Sequence, residues 1–260
     1  MIYRCIPERI SRIWGSLPPE KQGAEPTGEI WWFSGETVLA GENGTTRKAG
    51  EFFPGNSVPL VVKTLHAARN LSVQVHPGCD GTEPVKDESW VVLSGRGKIL
   101  HGTADDTTPD QFRDAVRNGS VENILQVIQA EPGLVVHLPA GTVHALGAGL
   151  TVLEVQLNCD VTYRLWDYAR KDINGNLREL HIKKGLEAVN WENMGRASVV
   201  SGDYLNAGKY YMRRSVPGVL NLKPLELVYI PGENRCLFAD GEGGTVSTPH
   251  HSWILGMTDE

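Results

Sequence analysis

The sequence predicts a mainly β protein, a sandwich or barrel of short strands interrupted once by a small helical insertion and followed by a smaller β unit. Three observations predict it. Twenty-nine glycines and fifteen prolines, spread over 260 residues, cut the chain into short segments. PLVVKTL, LSVQVHP, SWVVLSG, GKILHG, LVVHLPAG, LTVLEVQL and VTYRLWDY read as strands at close intervals between Pro59 and Tyr168. TPDQFRDAVRNGS alone keeps a helical period. The first domain is expected to span 1–180, closing near the turn cluster DINGN, with the insertion near 108–130 and a smaller β domain over 181–260.

The elements follow in order. Between SWVVLSG and GKILHG, residues Ser94 to Lys98 read as a hairpin turn, since the Gly and Lys there lack phosphate-loop spacing. In the insertion Thr108 is the expected N-cap and Pro109 the first helical residue. Phe112, Ala115 and Val116 share one face, and Asn118-Gly119 is the stop signal. SVENILQVIQ reads as a second short helix capped by Ser120. Pro139-Ala140-Gly141 makes a tight turn, after which a strand restarts over Thr142 to Leu146. Beyond Leu180, ASVVSG, YYMRRSV, LELVYIPG, RCLFADG and HSWILGM are the β segments, with no cluster of ligand-type residues.

A net charge of −6 argues against nucleic acid or an anionic membrane as partner, since both attract basic patches. Cys5, Cys79, Cys159 and Cys236 are widely spread without a CxxC pair, so reduced thiols are expected. MIYRCIPERISRIWG has no apolar core of a secretory leader, and no apolar run approaches a membrane span. A cytoplasmic protein is the expectation.

Chemistry concentrates in three stretches. In LSVQVHP, Ser72, Gln74 and His76 alternate with Val73 and Val75 and share a strand face. Lys86, Glu88 and Trp90 share another face, and His144 follows the Pro-Ala-Gly turn. Taken singly, Gln74 and Glu88 read as surface polar alternates and His144 as a packed polar residue. Together, Gln74, His76, Glu88 and His144 offer two imidazoles, a carboxylate and an amide oxygen. That set suits Zn²⁺ in a catalytic site, or Fe or Mn. In LEVQLNCDVTYRLWDYAR, Glu154 and Gln156 flank Val155, and Arg164 sits among aromatics. An Arg so placed needs an internal partner, Asp160 or Asp167, or an anionic ligand.

Taken together these stretches resemble the type I mannose-6-phosphate isomerases of the cupin superfamily. The resemblance is carried by VQVHP with its Gln-x-His-Pro, by KDESW, and by PAGTVHALGAGLTVLEVQLNCDVTYR, with RIWG and TGEIWWFSG before them. It runs roughly from Arg12 to Arg170. It implies a cupin-type β-barrel or jelly roll with a second, smaller cupin-like β domain. It implies one Zn²⁺ per chain on Gln74, His76, Glu88 and His144, with Arg164 as the active-site arginine. Lys63, Ser72 and Lys86 are placed near the sugar phosphate or the reacting carbons. The implied reaction interconverts mannose 6-phosphate and fructose 6-phosphate through a cis-enediolate. Lys86 and Glu154 are the candidates for the proton-transfer base, because both share strand faces with site residues. His66 departs from the family, which usually has Asp there, and both the His76–Glu88 loop and the part after Leu180 are short. Two other classes are open on the same fold: a non-catalytic sugar-phosphate-binding cupin, and an Fe²⁺ oxygenase using two His and a carboxylate. The expected partner is a small sugar phosphate, and the sequence carries no sign of the oligomeric state.

Overall fold

The computed structural model describes residues 1–78, 85–193, 197–200 and 202–258, and divides into two compact units. Unit 1 comprises 1–8, 30–63 and 200–260, and unit 2 comprises 9–29 and 64–199. This grouping differs from the expected split into 1–180 and 181–260. The reason is strand pairing: Ile2–Ile6 pairs with Arg235–Ala239 on one side and Val38–Gly41 on the other. The start of the chain is thereby part of the same sheet as its last third.

In unit 2, five strands form one sheet in the order Leu125–Ala130, Gly97–Thr103, His144–Leu146, Val73–Val75, Tyr163–Trp166. In a second, seven-stranded sheet, Glu88–Ser94 lies between Val135–Leu138 and Thr151–Leu157. Trp90, Val92, Val136, Leu138 and Val152 from the second sheet meet Ile99, Ala130 and Leu146 from the first in one buried core. Two open sheets around a shared core give the sandwich form of the expected jelly roll.

The outer face of the five-stranded sheet carries the helices. Val73, Val75, Ala145, Tyr163 and Leu165 point outward by strand alternation and pack with Phe112, Ala115 and Val116. Those three residues form the apolar face of the helix Pro109–Asn118. Thr108 accepts from the Gln111 amide while the Gln111 side chain returns to Thr108, and Gly119 ends the helix at φ +70°. A second helix, Ile182–Ala188, adds Gly185 to the same layer, where Leu165 leaves no room for a Cβ.

Two expectations are corrected here. SVENILQVIQ is helical only in a 3₁₀ turn over Val121–Ile124, and Ser120 makes no side-chain cap. Leu125–Ala130 is a strand paired with Gly97–Thr103, because its alternation serves a sheet edge better than a helix face. Ser94 to Lys98 is not a hairpin: the strands on either side belong to different sheets. The segment turns a corner at Gly95, φ +89°, where a Cβ would stand 1.9 Å from the Gly149 carbonyl oxygen.

Unit 1 is an eight-stranded sheet ordered Tyr204–Asn206, Tyr210–Ser215, Ser252–Met257, Leu227–Ile230, Arg235–Ala239, Ile2–Ile6, Val38–Gly41, Thr46–Lys48. Gly218–Leu222 and Gly244–Thr248 pair as a two-stranded sheet, and Leu220, Leu222 and Val246 pack against Val228, Ile230 and Leu237.

Candidate metal centre

One row of polar residues crosses the whole five-stranded sheet of unit 2. Gln126 is opposite His101, His101 opposite His144, His144 opposite Gln74, and Gln74 opposite Arg164. Directly opposed residues of an antiparallel pair share a face. The same face carries Ile99 and Leu146 into the core, so this row points inward. Glu88 comes from the other sheet.

His76, Glu88 and His144 meet, with ligand atoms all within 4.8 Å of one another, and all three are buried. His144 Nε2 is 3.1 Å from Glu88 Oε1, and His76 Nε2 is 3.2 Å from Oε2. The far nitrogens are spoken for: His76 Nδ1 is 3.0 Å from the Val161 carbonyl oxygen and His144 Nδ1 is 2.9 Å from that of Thr142. Carbonyls only accept, so each imidazole donates from Nδ1 and turns its Nε2 lone pair to Glu88. Two lone pairs and a carboxylate thus converge, and neither Glu88 oxygen accepts a hydrogen bond of good geometry. Such a set of facing acceptors fits a divalent cation.

Gln74 completes the cluster: its Nε2 is 3.2 Å from His144 Nε2, and its Oε1 accepts from buried Ser72 Oγ at 3.2 Å. Lys86 Nζ, also buried, lies 3.1 Å from His76 Nε2 and 3.2 Å from Glu88 Oε2. Burial alone would raise the Glu88 carboxyl, but Lys86 and the two imidazoles outweigh it and hold it well below the ordinary range. Burial first, then the Lys86 charge, press His76 down to about 3. Both groups are therefore in the forms that bind metal, carboxylate and neutral imidazole.

Glu154 is opposite Trp90 and takes its indole N–H at 2.9 Å; Gln156, two residues along, is opposite Glu88. Glu154 so shares the inward face. Arg164 donates from Nη1 to the Glu179 carbonyl at 3.0 Å, and its Nε is buried without a partner. No ion pair joins Arg164 to Asp160 or Asp167 among the described residues. Asp167 pairs instead with Arg170 and Arg178. Lys63 belongs to unit 1, where Nζ lies 4.9 Å from the centre of the Trp31 ring. Cys5, Cys159 and Cys236 are buried free thiols, and no sulfur stands at the cluster among the described residues; Cys79 lies outside them. Sequence reading missed His101, whose place in the row follows only from register, and the carbonyls of Thr142 and Val161.

The comparisons with known proteins point one way. No family model matches the chain. Mannose-6-phosphate isomerase ManA of Bacillus subtilis is 31% identical over 269 aligned residues, covering 87% of this chain and 84% of that protein. Mannose-6-phosphate isomerase of Streptococcus mutans is 32% identical over 206 residues, covering 68% of this chain and 64% of its own length. Among solved structures, a mannose 6-phosphate isomerase from Bacillus subtilis superposes with a TM-score of 0.76 at 21% identity, over 98% of this chain and 99% of that one. A mannose 6-phosphate isomerase bound with zinc and yttrium gives a TM-score of 0.70 at 13% identity, over 99% of this chain and all of the other.

Proposed function

Because the chain belongs to the mannose-6-phosphate isomerase family, we propose that unit 2 interconverts mannose 6-phosphate and fructose 6-phosphate at the His76–Glu88–His144 cluster. The observation that carries the reading is the buried Glu88 carboxylate facing two imidazole lone pairs whose tautomers are fixed from behind. His76, Glu88 and His144, with Gln74 beside them, would hold one divalent ion per chain, and the nitrogen-and-oxygen donor set suits zinc. Held there, such an ion would supply Lewis-acid polarisation.

The chain's own groups do the rest. Aldose and ketose differ by the position of a proton between C1 and C2 and by the hydroxyl and carbonyl oxygens they bear. A cis-enediolate links them, so the site must take a proton from one carbon, return it to the other and tolerate negative charge between. Lys86, its Nζ at the cluster, and Glu154, on the same inward face, are the candidates for moving that proton. Arg164, opposite Gln74, adds fixed positive charge for the developing oxyanion. Ser72 acts through Gln74, holding its amide oxygen. Trp90 is fully buried, with its ring edge-on to His144 at 5.4 Å, and keeps water from that side of the cluster. No described helix is long and apolar enough to cross a membrane, and the buried free thiols suit a reducing compartment such as the cytoplasm.

The test is a coupled isomerase assay on several sugar phosphates with metal analysis of the same sample. Turnover of mannose 6-phosphate with one zinc per chain is expected. Zinc bound without turnover of any sugar phosphate would leave only a binding protein, and oxygen consumption with bound iron would make it an oxygenase.

A further inference from the structure

The outer face of the five-stranded sheet of unit 2 carries a cavity of about 410 Å³ that the metal cluster does not use. Its apolar floor is a row of directly opposed residues, Val127 against Leu100 and Leu100 against Ala145. Val127 is 46% exposed. Ala145 follows His144 on one strand, and alternation turns the two to opposite faces. The cavity thus lies behind the metal cluster, on the other side of the sheet.

One wall is a chain of hydrogen bonds. The Ala148 amide donates to Asn70 Oδ1 at 2.9 Å, the Asn70 side chain bonds the Tyr168 hydroxyl, and that hydroxyl donates to Glu122 Oε1 at 2.6 Å. Tyr168 is held at φ +60° and Ala169 after it at +49°, two consecutive left-handed residues where glycine is the usual choice. Arg170 braces this turn: it bonds the Asn70 carbonyl and covers the Tyr168 ring at 4.8 Å, while Asp167 neutralises it. Each link orients the next. The Glu122 carboxylate is thereby fixed at the cavity, and its second oxygen accepts no hydrogen bond among the described residues. Lys98 lines the same cavity, and its ammonium pairs with nothing among the described residues. An anion and a cation therefore share one cavity without meeting.

We propose that this cavity binds an uncharged, hydroxyl-rich small molecule of the class of a free monosaccharide. Glu122 accepts from one hydroxyl, Lys98 donates to another, and Leu100, Ala145 and Val127 meet the C–H face of the ring. The charges of Lys98 and Glu122 cancel, so a ligand without net charge fits here, unlike the phosphorylated sugar assigned to the metal side. A hydroxyl both donates and accepts, so neighbouring hydroxyls serve a carboxylate and an ammonium together. The volume lies in the range of small-molecule sites, which join apolar walls to a few fixed polar groups.

The experiment is a heteronuclear NMR titration of the full chain with D-mannose, D-fructose, L-serine and mannose 6-phosphate, for wild type, Lys98→Met and Glu122→Gln. At least one free hexose should shift the backbone amide signals of Lys98, Leu100, Glu122, Val127 and Ala145. Each variant should weaken that binding about tenfold or more, the loss of one charged hydrogen bond. Lys98→Met should keep wild-type kcat on mannose 6-phosphate. Lys98 is exposed, so that variant carries the test even if Glu122→Gln does not fold. No cavity shift with either hexose, or shifts confined to the surroundings of His76, Glu88 and His144, would overturn the proposal. So would cavity shifts of equal affinity in all three proteins. Tighter cavity binding of L-serine or of mannose 6-phosphate than of either hexose would overturn the ligand class. The readout is the cavity's own amides, so its failure is distinct from that of the isomerase reading. Hexose bound there in a protein that turns over no sugar phosphate would keep this site and remove the other.

Discussion

The two units bury different chemistries. Among the described residues, unit 2 buries eight Asp, Glu, Lys or His side chains, including His76, Lys86, Glu88, His144, Glu154 and Asp167, whereas unit 1 buries Lys63 and Glu226. Unit 1 stacks rings instead: Phe33 on Phe238 and Trp32 against Tyr229, each with centroids 5.4 Å apart. Apolar burial stabilises a fold directly. A buried ion pair gains little over a hydrophobic replacement, but removing one partner is strongly destabilising. A unit that keeps eight such groups inside does so for chemistry, and substitutions there should change function and stability together. In unit 1 they should change stability alone.

The largest effect should come from Glu88→Ala. It removes the only carboxylate of the metal cluster and leaves Lys86 buried beside two imidazoles. Metal content and isomerase activity should be lost, and the protein should lose about 3–5 kcal/mol of stability. Full metal content in Glu88→Ala, or in both His76→Ala and His144→Ala, would dissolve the contrast between the units. Next, Arg164→Ala should cost about 10²–10³ in kcat while zinc stays bound, and Lys should rescue little. A large drop in melting temperature with near-normal kcat would return Arg164 to a structural role.

Acid should weaken unit 2 more gently. Burial places His66, His76 and His137 below the ordinary 6.5, His76 at about 3. As pH falls below 6.5 the unfolded chain takes up protons that the folded one refuses. The stability these residues contribute is present above that value and lost on descent toward their folded pKa values. The urea midpoint of chelator-treated protein should therefore be lower at about pH 5 than at about pH 7.5, and a flat profile would contradict it. The smallest effect belongs to Tyr211→Phe in unit 1, which removes the hydroxyl that bonds Glu226. It should cost about 1–3 kcal/mol of stability and leave zinc content and kcat at wild-type values. A fall in either would tie unit 1 to the chemistry.

The metal cluster was legible because its signals are local. Alternation over Ser72–His76 and Lys86–Trp90 fixes faces, and the Pro139–Gly141 turn places His144 at a strand start. What joins such segments was not legible. His101 enters the polar row only through its register with His144, and the corner at Gly95 depends on a carbonyl from Gly149. Asp167 reads as an internal partner for Arg164, yet the structure pairs it with Arg170 and Arg178. In unit 1, YYMRRSV, LELVYIPG, RCLFADG and HSWILGM were legible as strands, but Ile2–Ile6, Val38–Gly41, Gly218–Leu222 and Gly244–Thr248 were not.

That strand has a consequence for synthesis. Ile2–Ile6 leaves the ribosome well before one of its two partners, Arg235–Ala239, is made. All of 9–29 and 64–199 emerges before 200–260, the last segment of the other unit. Since domains fold as units while the chain grows, the metal-binding part can form during translation. The first strand meanwhile waits with one edge unpaired, a template for other nascent chains. Slowing translation after residue 199 should lengthen that exposure and lower soluble yield without touching a single residue of the site.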